Sequence, residues 1–122
     1  EFGMMNQRYL GHPYRYAYST TSKPGWFLFN GFVKHDMVTG ESWSIELPEG
    51  RYGSEAPFAP RVGAVDEDDG YLVSFVTDEN LGTSECILID CKRFAEGPVC
   101  RIALPHKISS GTHAHWADRA VL

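Results

Sequence analysis

No run of apolar residues in this 122-residue sequence approaches the roughly 20 that a membrane-spanning helix requires, and no charged-then-apolar leader opens it. These two absences predict a chain that neither crosses a bilayer as a helix nor is directed to export. Clustered Lys and Arg are also missing. The 11 basic residues stand against 16 acidic ones, a formal net charge of −5. That is the wrong sign for gripping a phosphate backbone, which excludes a nucleic-acid partner. There is no C-x-x-C pair, and the three cysteines, Cys86, Cys91 and Cys100, cannot all pair within the chain. An odd, unpatterned set of this kind points to reduced thiols and a cytoplasmic protein. Helical periodicity is lacking too, because no segment sustains apolar residues at three- and four-residue spacing.

What is present is β-type. Apolar residues make up 43% of the chain and charged residues 22%, ordinary values for one small globular domain able to bury a core. Short aromatic and β-branched runs recur at 14–19, 26–36, 41–47, 56–61, 71–78, 85–91 and 99–104. Turn chemistry separates them, as in "KPG" (23–25), "TG" (39–40), "PEGRYG" (48–53), "DEDDG" (66–70) and "EGP" (96–98). Strands spaced in this way with short polar turns predict an antiparallel meander, the pattern of sandwiches, barrels and propeller blades.

The chemistry-bearing residues are few. In "ISSGTHAHWAD" (108–118), His113 and His115 stand with one residue between them, either as decoration on a last strand or with one of them holding a metal. His12 before a proline, His35 at a hairpin mouth and His106 after a proline read as structural or solvated residues. The acids of "DEDDG" run together and lack the alternating oxygens and distal glutamate of a calcium loop, so they read as a solvated hairpin tip. Cys86 and Cys91 bracket "ILID" as small hydrophobes in a strand. Glu55 differs, because it stands directly before the apolar "APFAP". It is either a strand-end surface acid or a buried carboxylate that needs a partner, for instance a metal-bound imidazole.

The succession "RYGSEAPFAPR", "EDDGYLVSFVTD", "ECILIDCKRFAEGPVCRIALP" and "GTHAHW" resembles the C-terminal part of the carotenoid cleavage oxygenases. The likeness reaches back through "KHDMVTGESW" and "YRYAY" to "EFGMMN", so residues 1–122 resemble an incomplete, C-terminal part of that domain. It implies an all-β fold in which antiparallel strands form the C-terminal blades of a seven-bladed β-propeller. It also implies a non-haem iron(II) site on the propeller axis, bound by four histidines. His113 matches the last of these, and His115 falls at a variable position that does not touch the metal. Of the glutamates that back the family's iron-binding histidines, Glu55 matches the one in the "SE-P-F" segment. Glu1 matches the one that opens a segment where the family has a proline and this sequence has Gly3.

The implied activity is dioxygenase cleavage of a C=C double bond in a carotenoid, apocarotenoid or stilbene-like molecule. Its cofactor is Fe(II) and its partners are an apolar conjugated substrate and dioxygen. Peripheral membrane contact of the full-length protein goes with so apolar a substrate. Phe58, Trp116 and the Tyr14, Tyr16, Tyr18 ladder are the aromatic residues available for a substrate tunnel or, equally, for sheet packing. One departure stands out. The other three iron-binding histidines have no match here, since neither His12 nor His35 fits them, so the remaining blades are needed to complete the site. The alternative is a non-catalytic β-domain that binds another chain or a hydrophobic ligand.

Overall fold

The computed structural model describes residues 2–109 and 111–119. The meander expected from the sequence is present as eight strands: β1 (Tyr16–Ser22), β2 (Phe29–Asp36), β3 (Ser42–Glu46), β4 (Arg51–Gly53), β5 (Phe58–Pro60), β6 (Gly70–Asp78), β7 (Thr83–Asp90) and β8 (Pro98–Ala103). All of their pairings are antiparallel. The order is β1-β2-β4-β6-β7-β8, with β3 on β2 and β5 on β6. Two short 3-10 turns, Gln7–Tyr9 and Cys91–Glu96, accompany the strands, and no longer helix occurs among the described residues, as the missing helical period predicts. None of them is long and apolar enough to cross a membrane.

The sheet has two halves. β1, β2 and β3 form one and β4 to β8 the other, and a single residue pair, Phe29 with Gly53, joins their ladders through β2 and β4. Alternation along the strands sends Tyr18 and Phe32 from the first half into the same core as Leu72, Val76, Ile87 and Ile89 from the second. Tyr18 stacks on Phe58 with ring centroids 5.6 Å apart and planes at 21°. Each of these fully buried side chains contributes on the order of 2 kcal/mol.

Four local expectations are corrected. The "PEGRYG" turn ends as a strand, because Arg51 to Gly53 pair with Asp78 to Val76 of β6. Cys91 lies beyond β7 in the second 3-10 turn, buried, and loss of solvent pushes its thiol up to about 12. It is an inert small hydrophobe there. His35 is a strand residue whose two ring nitrogens lie 3.0 Å from the hydroxyls of Ser19 and Ser42, so it has a cross-strand partner on each side.

The acidic loop between β5 and β6 is a clasp on the first half. The Glu67 carboxylate accepts the Arg15 and Tyr16 N–H groups at 2.9 and 2.7 Å. Asp68 accepts from the buried Lys34 Nζ at 2.7 Å, and Lys34 also donates to the Cys91 carbonyl at 2.7 Å. Nearby, hydrogen bonds from the Arg15 guanidinium hold the Asp36 carboxyl well below the usual carboxylate range. A depressed folded-state pKa stabilises the fold above about pH 4 and ceases to do so as pH falls through the depressed value.

Gly31 is where β1, β2 and β3 approach too closely for a side chain. A Cβ there would collide with the Ile45 carbonyl oxygen and lie 2.7 Å from Thr21 Oγ1. Because the obstacle includes backbone, Gly31→Ala should destabilise by about 2 kcal/mol and visibly lower the melting temperature. Gly3→Ala, which meets nothing within 4 Å, serves as the control. Equal melting of the two variants would show that the strands can spread at this point.

Candidate metal centre

Beyond β4 the chain is pinned to β6 through Ser54. Its N–H donates to the Phe75 carbonyl at 2.8 Å, its Oγ accepts the Phe75 N–H at 3.1 Å, and Ser74 Oγ donates to its carbonyl at 3.1 Å. That anchorage fixes the next residue, Glu55, whose side chain is only 7% exposed. A buried carboxylate must be partnered. Its partners come from the far end of the chain: Glu55 Oε2 accepts the Ala114 N–H at 2.6 Å and stands 3.5 Å from His113 Nδ1. Of the two sequence alternatives for Glu55, the structure has the buried one.

The segment that carries His113 is irregular, so the two histidines do not decorate a last strand. It is tied back across β6 and β7. The Lys107 ammonium meets Glu79 at 2.8 Å, the Ile108 N–H donates to Ser84 Oγ at 3.0 Å, and Thr77 Oγ1 donates to the Ile108 carbonyl at 3.2 Å. Farther on, His115 Nδ1 lies 3.1 Å from the Gln7 amide and Asp118 lies 3.5 Å from Arg8. The His113 imidazole is 77% exposed. With Nδ1 facing the carboxylate, the opposite nitrogen, Nε2, is the one left to bind something else. His115 instead lines a neighbouring cleft of about 320 Å³ with Gln7, Arg8, Phe58, Pro60 and Trp116.

An aromatic cluster that sequence reasoning missed borders His113. The Phe2 ring stands edge-on to the imidazole at 5.2 Å, and also to Phe29 at 5.3 Å and Phe27 at 6.3 Å. The available signal was the aromatic alternation in "WFLFNGF" (26–32) and the phenylalanine that follows Glu1. Of the aromatics singled out beforehand, Phe58 and Tyr18 are core residues and Tyr16 packs against the core, whereas Tyr14 and Trp116 are exposed. Glu1 lies outside the described residues. His12 and His106 are exposed, away from this cluster of contacts.

As a metal site, the arrangement is one donor with its support. No three His, Cys, Asp or Glu side chains among the described residues converge on one point. An exposed imidazole backed by a buried carboxylate does fit a single iron ligand, since the carboxylate favours the tautomer with Nδ1–H and a free Nε2. The family model described as retinal pigment epithelial membrane protein, RPE65, matches residues 1–118. The chain belongs to this family, the carotenoid cleavage oxygenases.

Within the carotenoid cleavage oxygenases, carotenoid 9,10(9',10')-cleavage dioxygenase 1 of Pisum sativum is 38% identical over 131 aligned residues, covering 95% of this chain and 24% of the pea protein. Among solved structures, a Glu150Asp mutant of the Synechocystis apocarotenoid oxygenase superposes with a TM-score of 0.88 at 28% identity, over 96% of this chain and 25% of its own. The lignostilbene dioxygenase of Pseudomonas brassicacearum does so with a TM-score of 0.88 at 26% identity, over 96% and 27%. The antiparallel all-β fold and its relation to the oxygenase β-propeller are thereby borne out. The chain spans about a quarter of the length of the relatives it matches.

Proposed function

We propose that this chain is the C-terminal portion of a cytoplasmic non-haem iron(II) dioxygenase that cleaves a C=C bond of a carotenoid, apocarotenoid or stilbene-like substrate. The observation that carries the proposal is the pairing of Glu55 with the His113 loop, in which one carboxylate oxygen reaches both the Ala114 N–H and His113 Nδ1. In this reading His113 presents Nε2 to the iron, three histidines from the rest of the polypeptide complete the ligand set, and Glu1 backs another of them. Bound there, Fe(II) would supply an open coordination position at which dioxygen is activated beside the substrate.

The protein's own residues do the rest. Glu55 fixes the imidazole tautomer and places negative charge near the cation. Phe2, Phe27 and Phe29 form an apolar wall next to His113, suited to a conjugated hydrocarbon and to keeping water away. The atoms balance simply: the double bond and dioxygen are consumed, and each alkene carbon leaves as a carbonyl carrying one oxygen atom.

The test uses the complete polypeptide loaded with Fe(II) in air, offered β-apocarotenals and hydroxystilbenes, with chromatographic detection of paired carbonyl products. Glu55→Gln should fold normally yet lose roughly 10- to 100-fold in iron affinity or turnover, the usual scale for removing a partner of a metal ligand. Parental iron affinity and turnover in that variant would make Glu55 a purely structural acid. Absence of any carbonyl pair from the iron-loaded parent would overturn the cleavage reading.

A further inference from the structure

Phe2 is the one described residue other than glycine with a positive φ, at 49°. The left-handed region disfavours a bulky side chain, and such a conformation persists where surrounding contacts over-determine it, commonly beside functional sites. The contacts here are identifiable. Two residues on, Met4 and Tyr18 exchange backbone hydrogen bonds of 2.7 and 2.8 Å, which fixes the path of the chain directly after Phe2. On the other side the Phe2 ring rests against buried Phe29, planes at 76°, and against Phe27 at 82°. Its remaining ring contact is the His113 imidazole, with planes at 80° and centroids 5.2 Å apart. This T-shaped arrangement is the one ring quadrupoles favour.

With the imidazole 77% exposed, little else holds it. Glu55 addresses one ring nitrogen, but a carboxylate contact through a single atom leaves the plane of the ring free to tilt about it. Phe2 is the one ring packed on His113 among the described residues, and it stands on a buried base. We propose that Phe2 is a positioning residue for His113, its left-handed backbone being what brings an aromatic ring against the imidazole and sets the direction of Nε2. This deepens, and rests on, the reading of His113 as an iron ligand.

The experiment follows iron release from the complete, Fe(II)-loaded protein into a colorimetric chelator, together with the visible absorption of the cobalt(II)-substituted protein. Phe2→Leu and Phe2→Gly both remove the ring, and the glycine also relieves the backbone. Phe2→Tyr keeps the ring. The leucine and glycine variants should release iron about tenfold faster, the low end of the range for losing a partner of a ligand, and shift the cobalt bands. The tyrosine variant should stay within about twofold of the parent. Parental release rates and cobalt bands in Phe2→Gly would overturn the proposal, since the ring would then be dispensable. His113→Ala separates the two layers: if it too retains iron, the ligand reading falls and the Phe2 proposal with it. If it loses iron while the ring-less variants do not, only the Phe2 proposal falls.

Discussion

His113→Ala in the complete protein is expected to abolish iron retention and turnover, while His115→Ala leaves iron bound. The two imidazoles are two residues apart, yet their surroundings differ in the way that matters to a cation. His113 has a buried carboxylate at its Nδ1 and a largely exposed side chain. His115 has its Nδ1 engaged by the neutral Gln7 amide, in a cleft where the Arg8 guanidinium is paired with Asp118. A carboxylate at the ring favours a cation beside the first, and the second has only a neutral amide at its ring. Elemental analysis after gel filtration gives the answer, and equal iron in the two variants would refute the assignment.

The second large effect concerns the 122 residues expressed alone. Register places Val73, Phe75, Cys86, Leu88, Cys100 and Ile102 on one face of β6, β7 and β8, the face turned away from the shared core. Phe75 and Ile102 are 43% and 51% exposed, and Val62 beyond β5 is fully exposed. β8 also ends the strand order with an open edge, and at the other end β1 is covered only in part, by the Met4–Tyr18 bridge and Glu67. Apolar sheet faces and open edges associate. The isolated chain should therefore be oligomeric or aggregated in light scattering, bind no stoichiometric iron and cleave neither apocarotenals nor stilbenes. A monodisperse monomer with one cooperative melting transition would favour a self-contained β-domain.

The strand plan was legible because aromatic and β-branched alternation is a local signal, whereas Glu55, an acid set against an apolar run, fitted a strand-end surface acid as well as the buried carboxylate it is. What escaped reading depends on partners far away in sequence. Three residues of β4 look like the end of a turn until β6 supplies the ladder. His35 looks solvated until Ser19 and Ser42 flank it across two strand pairs. The acids at 66–69 look like a hairpin tip until the Arg15 backbone N–H meets Glu67 and the Lys34 ammonium meets Asp68. The left-handed backbone of Phe2 carries no local signal, since the rings that surround its side chain come from positions 27, 29 and 113. His113 was singled out by its motif alone, and no periodicity distinguishes it from His115.

The lone ladder pair between β2 and β4 has a consequence for how the two halves share stability. Strand hydrogen bonds propagate cooperativity within each half but cross between them only at Phe29 and Gly53. Coupling across the seam therefore falls to side-chain burial around Phe32 and Leu72 and to the acidic clasp. Local unfolding follows the weakest such boundary, and Phe29, the residue at that seam, is also the base on which Phe2 and thus the His113 imidazole rest. Thinning the core at a distance from the histidine, with the ladder untouched, would on this view blur the aim of Nε2 through a transient parting of the halves.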